Sequence, residues 1–253
     1  MRVHVLRDST AEATPLLLVH ALPLDHRMWV DVAAHIPSAR RVLAIDLPDR
    51  ADPPGEPSFD AVADDLAQVL GTQPVVVAGC SMGGYLALAL ADRHPHLVAG
   101  LGLVDTRAEA DDDQALARRA ATVAQLEGSG SLDAVRAAIP GLLGATTSAS
   151  RPEVTDQVRC WVDEQTPETV AWCHRAIGAR PDRTETLRTF TGPVSVVVGD
   201  EDALSGVDVA QAMAATARDA RLVVVPQAGH LSPVEQPALV AQALAELVQR
   251  TDA

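Results

Sequence analysis

Three kinds of side chain that together make a hydroxyl reactive stand in one order along this chain. The first is Ser81, in Gly79-Cys80-Ser81-Met82-Gly83, between the β-branched run PVVVAG (74–79) and a helical pattern over 82–94. A strand that reverses into a helix within one residue strains the backbone there and pushes the side-chain oxygen into the open. Glycines two residues to either side let the strand and the helix pass closely. The helix that begins at Met82 also aims backbone N–H groups at whatever the serine attacks. The second group is the acidic cluster Asp200-Glu201-Asp202, at the end of PVSVVVGD (193–200). The third is His230, just past RLVVVPQ (221–227). A serine needs a base within hydrogen-bond reach, and the base needs a carboxylate that fixes its tautomer and balances its cation. Serine, acid, histidine is the order expected when the elbow comes first. A phosphate cradle would need G-x-G-x-x-G or G-x-x-x-x-G-K, and neither spacing is present here.

Positioning these residues falls to an alternation of strands and helices. Short β-branched runs occur at 2–8, 15–21, 40–46, 74–79, 97–105, 193–200 and 221–227, several of them continuously apolar, as parallel strands buried on both faces require. Between them, Ser58 is the predicted N-cap of a helix that ends at Gly71, and apolar residues at helical spacing mark 82–94 and 233–250, the latter with Pro233 in its first turn. The class is therefore α/β, a doubly wound, mostly parallel sheet of about seven strands. From 108 to 189 no strand pattern appears. Helices start after the acidic run 111–113, after Ser131, at Pro152 and at Pro167, while GLLGATTSASRP (141–152) reads as loop. The sheet resumes at Pro193, so 108–189 is expected to form a helical lid (cap) on one core made of 1–107 and 190–253. Open sheets carry their chemistry at the C-terminal ends of their strands, where Ser81, the acidic cluster and His230 all stand.

Composition narrows the partners. A 253-residue chain with 47% hydrophobic residues builds a sizeable core, and 2% aromatics leaves that core to Ala, Val and Leu. All 20 basic residues are arginine, and a formal net charge of −14 argues against nucleic acid or an anionic membrane as partner. An anionic substrate would need a local positive feature. Cys80, Cys160 and Cys173 are too few and too scattered for a disulfide framework or a zinc site. His94 and His96 lie after a helix with no third ligand nearby. The N-terminus lacks a signal pattern and no apolar run approaches membrane-spanning length, so a cytoplasmic setting is expected. Oligomeric state is left open.

With its strand-end serine, acid and histidine the chain resembles the α/β-hydrolase superfamily over essentially its whole length. The stretch His20-Ala21-Leu22-Pro23-Leu24-Asp25-His26-Arg27-Met28-Trp29 is similar to the HG-x-PL-x₄-W segment of small lidded hydrolases such as 3-oxoadipate enol-lactonases, aryl esterases and cofactor-free haloperoxidases. The resemblance implies an α/β-hydrolase fold with the lid inserted after the sixth family strand. It implies an oxyanion hole from the backbone N–H groups of Leu22 and Met82, with Ala21 standing where relatives have glycine. The family pattern G-x-x-D places the triad acid at Asp202, with Asp200 as runner-up and Asp105, at the end of LVAGLGLVD (97–105), as a third candidate. Asp46-Leu47-Pro48-Asp49-Arg50-Ala51 departs from the family's D-x-(R/P)-G-x-G. The implied chemistry is acyl transfer from a small ester or lactone to water, with Ser81, Asp202 and His230 as the triad and no metal or organic cofactor. A dedicated enol-lactonase, a perhydrolase or haloperoxidase-like activity, and a non-catalytic ligand-binding homologue are the alternatives. Trp161, Trp172 and His174 from the lid, His26 beside the oxyanion loop and Arg107 past a strand end are the candidate pocket residues. Arg107 has a competing partner in the acidic residues at 109–113.

Overall fold

The protein is described from a computed structural model, in which residues 1–37, 39–47 and 56–252 are placed. Residues 48–51, which carry most of the departure from D-x-(R/P)-G-x-G, lie outside the described residues.

Seven strands form one sheet: β1 (Arg2–Arg7), β2 (Leu16–Val19), β3 (Val42–Asp46), β4 (Val75–Cys80), β5 (Val98–Val104), β6 (Val194–Gly199) and β7 (Ala220–Val225). Their spatial order is β1-β3-β2-β4-β5-β6-β7, with β1 antiparallel to β3 and every other pair parallel. Each apolar run of the sequence became a strand within two residues of its expected ends. The continuous runs have a direct physical cause. Along β2, Leu16 and Leu18 enter one apolar core while Leu17 and Val19 enter the other, so no position faces water.

The first face is covered by α1 (Val30–His35) and α12 (Pro237–Thr251), which pack on each other, and the second by α2 (Phe59–Leu70) and α3 (Met82–Arg93). Ser58 caps α2 as expected, its hydroxyl accepting from the Ala61 N–H, and Gly71 ends it at φ +62°. Between β5 and β6 come α4 (Asp113–Ser129), α5 (Asp133–Ala138), α6 (Ala145–Ser150), α7 (Pro152–Asp163), α8 (Pro167–Ala179) and α9 (Thr184–Thr189). α4 packs along α8, and α9 packs against α3 and against α10 (Gly206–Thr216), the β6–β7 crossover.

Two expectations are corrected. Part of GLLGATTSASRP is helical, as α6, although it lacks a local cap: the Gly144 N–H is taken by Glu235 and the Thr146 N–H by Glu201, both at 2.8 Å. Partners distant in sequence thus satisfy the donors that a helix start leaves open. The helix expected over 233–250 is two helices, α11 (Ser232–Glu235) and α12, separated at Gln236. Pro237 drives its predecessor out of the helical region, to φ −138°, ψ 60°.

Candidate active site

The sheet order places the site. From β2 the chain steps to β3 on one side and then crosses to β4 on the other, so the C-terminal ends of β2 and β4 bound a crevice at a topological switch point. The loop after β2 carries Leu22 and the turn after β4 carries Ser81; both line one cavity there.

Ser81 sits at φ +51°, ψ −113°, outside the regions that L-residues favour. The flanking glycines explain how the turn closes. A Cβ on Gly79 would lie 2.1 Å from the Gly83 carbonyl, and one on Gly83 would lie 2.2 Å from the Val19 carbonyl oxygen. Neighbouring strand β5 braces the turn, with Ser81 N–H donating to the Val104 carbonyl (2.9 Å) and Thr106 Oγ1 donating to the Ser81 carbonyl (2.7 Å). The serine hydroxyl donates to His230 Nε2 at 2.8 Å, and His230 Nδ1–H donates to Asp202 Oδ2 at 3.0 Å. This tautomer is the one in which every contact has a donor and an acceptor. Asp202 Oδ1 accepts from the N–H groups of Leu204 (2.8 Å) and Ser205 (3.1 Å). Burial works against a charged His230, but the hydrogen bond and charge of Asp202, with the charge of Asp105, outweigh it and raise its pKa. Burial likewise opposes ionisation of Asp202, but the hydrogen bond and charge of His230 together with the Ser205 and Leu204 N–H groups outweigh it, so its carboxyl is held below the usual range.

The other two acids go elsewhere. Asp200 is exposed. Asp105 is fully buried at φ +46°, where Oδ1 accepts from Gly199 N–H (2.9 Å) and Oδ2 from Ser232 N–H (3.1 Å) and Oγ–H (2.6 Å). It thereby grips the end of β6, three residues before Asp202, and the turn two residues after His230. Its burial, reinforced by the charge of Asp202, pushes its carboxyl up to about 7.

Loop His20–Trp29 is fixed from within. His20 is buried, its Nε2 accepting from Leu47 N–H (2.9 Å) and its Nδ1–H donating to the Ala21 carbonyl (3.0 Å). Ala21 is not among the residues with positive φ, so an alanine occupies the family's glycine position without left-handed strain. Met82 N–H is the first of α3 and has no partner within the helix, while its side chain is buried in the second core. Asp25 caps the short helix His26–Trp29, binds the Arg27 guanidinium through two hydrogen bonds (2.8 and 2.7 Å) and accepts from Gln165 Nε2 (3.3 Å). It thus ties the loop to the segment between α7 and α8.

The cavity above Ser81 measures about 330 Å³. Core elements contribute Leu22, Tyr85, Arg107, Leu204 and His230, and the β5–β6 segment contributes Arg118, Arg119, Leu142, His174 and Ile177. Of the pocket residues expected from sequence, Arg107 and His174 line it; His26, Trp161 and Trp172 do not. His26 stacks on His4 with ring centroids 3.5 Å apart, and both rings bond to Asp46. These three residues are close enough to hold a metal ion, but the rings are within 9° of parallel, so an ion in the plane of one would lie outside the plane of the other. The arrangement suits a shared carboxylate better. Trp161 lies under the Arg27 guanidinium (5.9 Å), and Trp172 is buried in the core. Asp111, of the acidic run, accepts from Arg119 and from Arg180 (2.8 Å), so it is not the partner of Arg107, whose guanidinium donates to the Leu204 carbonyl (2.5 Å).

Sequence reasoning missed Glu235, Arg118 and Arg119, and read Glu201 only as a member of the acidic cluster, whereas it bonds Thr146. Glu235 is buried and bonds both Gly229 N–H (2.9 Å), next to His230, and Gly144 N–H (2.8 Å). Nothing local marks a glutamate in a short helix as the clamp between two distant glycine turns.

A profile of the alpha/beta hydrolase family matches residues 16–243, and the chain belongs to that family. It is similar to the pimeloyl-[acyl-carrier protein] methyl ester esterase of Neisseria meningitidis serogroup B (strain MC58), 27% identical over 248 residues, covering 91% of each chain. Among solved structures it resembles a thermophilic esterase from Thermogutta terrifontis solved with malate bound, at 34% identity and a TM-score of 0.91, covering 99% of this chain and 94% of that one. The enol-lactonase of Burkholderia xenovorans LB400 shares the fold (TM-score 0.87, 22% identity, 98% and 96% covered). Among the described residues no helix is long and apolar enough to cross a membrane.

Proposed function

We propose that the protein hydrolyses a small carboxylic ester or lactone through an acyl-enzyme on Ser81. The observation that carries this reading is the continuous hydrogen-bonded chain from Ser81 Oγ through His230 to Asp202, at an elbow that opens into a cavity. Ser81 Oγ attacks the carbonyl carbon as His230 Nε2 takes its proton, and Asp202 stabilises the imidazolium that forms. The carbonyl oxygen becomes an oxyanion held by the N–H groups of Leu22 and Met82, which need no reorganisation at that moment. His230 then gives its proton to the departing alkoxide, and the alcohol leaves with Ser81 acylated. A water loses a proton to His230 and attacks the acyl carbon; collapse returns the proton to Ser81 Oγ and releases the acid. Each proton moves on groups of this chain. Membership of the alpha/beta hydrolase family and similarity to esterases support the same reaction class.

The test is covalent. A fluorophosphonate should label wild type at Ser81 and leave Ser81→Ala unlabelled, and the variant should lose p-nitrophenyl acetate hydrolysis by at least about 10⁴-fold. Labelling or turnover retained in Ser81→Ala sinks the reading.

A further inference from the structure

A chain with formal net charge −14 repels anions at long range, so an anion reaches its site only through local cations. Many of its arginines sit on carboxylates, as Arg93 does on Asp64 and Arg136 on Asp163. Among the described residues Arg107 and Arg118 make no ion pair: Arg107 spends one donor on the Leu204 carbonyl, and the Arg118 guanidinium has no hydrogen-bond partner. Both line the cavity that holds Ser81 and His230. Arg107 comes from the loop that follows β5 and Arg118 from α4, so the two reach the cavity from different elements. Arg119 adds a third guanidinium, while Asp111 is the one aspartate or glutamate among the described lining residues and is shared with Arg180. The cavity is thus locally cationic in an acidic protein. Each guanidinium presents five N–H donors in a fork that matches a carboxylate. The wall of the same cavity also offers Leu22, Leu142, Ile177 and Leu204, against which a short methylene chain can lie.

We infer that the cavity selects an ester bearing its own carboxylate, a half-ester of a short dicarboxylic acid, with the scissile carbonyl at Ser81 and the free carboxylate against Arg107 and Arg118. This rests on the esterase reading above and narrows its substrate class. His174 does not compete for the anion as a cation: burial and the charge of Arg119 push its pKa down to about 4. Lost guanidinium contacts weaken binding of substrate and transition state alike, so they appear mainly in KM.

The experiment compares kcat/KM, by pH-stat, for the monoethyl esters of succinate, glutarate and adipate with those for ethyl butanoate, pentanoate and hexanoate. Wild type should prefer the anionic member at one chain length or more. That anionic-to-neutral ratio should fall about tenfold in Arg107→Gln and in Arg118→Gln, the worth of one charge-assisted contact. Arg159→Gln, which removes an exposed cation on α7, should keep the ratio. A wild-type ratio at or below one for every pair overturns the inference, as does a ratio that Arg107→Gln and Arg118→Gln leave unmoved. If neither ester class turns over, the esterase reading fails instead. The anion site is then judged by whether adipate raises the Tm of wild type and not of the double variant; no such rise overturns it.

Discussion

Both oxygens of Asp202 are occupied, Oδ2 by His230 and Oδ1 by two backbone N–H groups. An asparagine there would present either a donor to His230 Nδ1–H or a donor to the backbone amides, and would favour the imidazole tautomer that cannot accept from Ser81. Asp202→Asn should therefore lower kcat by about 10⁴-fold with the fold intact by circular dichroism. The pH profile follows from His230, whose pKa is raised above 6.5 by Asp202 and Asp105 against burial. Attack needs the neutral base, so kcat/KM should rise with pH through a pKa above that of free imidazole. Asp105, itself about half protonated near pH 7, supplies only part of a charge there, so Asp105→Asn should move the acidic limb to lower pH only slightly. Asp105 also links pH to stability. Its folded pKa of about 7 exceeds its ordinary 3.8, so the folded state binds the proton more tightly. That contribution is fully present below about pH 4 and is lost as pH rises through about 7. Urea melts should show wild type losing stability over this window and Asp105→Asn losing less.

At the scale of elements, the turns around Ser81 and His230 depend on backbones passing too closely for a side chain. A Cβ on Gly83 would meet the Val19 carbonyl oxygen at 2.2 Å, and backbone on both sides has no rotamer to yield. Gly83→Ala should abolish labelling at Ser81 and lower Tm, read by differential scanning fluorimetry. Glu235 acts between elements, holding Gly229 N–H with one oxygen and Gly144 N–H with the other. In Glu235→Gln the amide nitrogen faces a donor and leaves a buried N–H unpaired, at about 1–3 kcal/mol. A Tm lower by roughly 2–4 °C per kcal/mol, with faster hydrogen exchange at Gly144 or Gly229, is the expected result. These examples mark where sequence reading reaches and where it stops. The cap at Ser58 and the stop at Gly71 are local and were legible. The start of α6 is satisfied by Glu201 and Glu235, far away in sequence, and was not. The break at Gln236 had a local cause in Pro237, whose effect on its predecessor the helical periodicity masked.

At the scale of the whole molecule, the sheet is the wall between two apolar cores, and β2 and β4 sit at its centre with side chains in both. Leu18 is fully buried in the first core. Leu18→Ala should cost about 2–5 kcal/mol, because the central strands are hemmed in on both faces and collapse little around a void. Chemical denaturation should show this as a lower midpoint with the slope unchanged. The same sheet order that makes these strands central opens the crevice in which Leu22 and Ser81 meet. Stability and site geometry therefore share one source.

The sequence by itself determined the seven strands, the layers over them, the elbow at Ser81 and the order of serine, acid and histidine. All of these are written in local periodicity, in glycine spacing and in the residue that ends each strand. Tertiary structure decided which acid meets His230, because Asp105, Asp200 and Asp202 all stand at strand ends, and only the turn after β6 and the crossing of β5 bring Asp202 to Nδ1 and turn Asp105 toward Ser232. It also decided which cations face the cavity. Arg118 is one of many helical arginines until α4 brings it to the wall of the cavity that Ser81 also lines, and charge pairing is a property of neighbours that the chain meets only when folded.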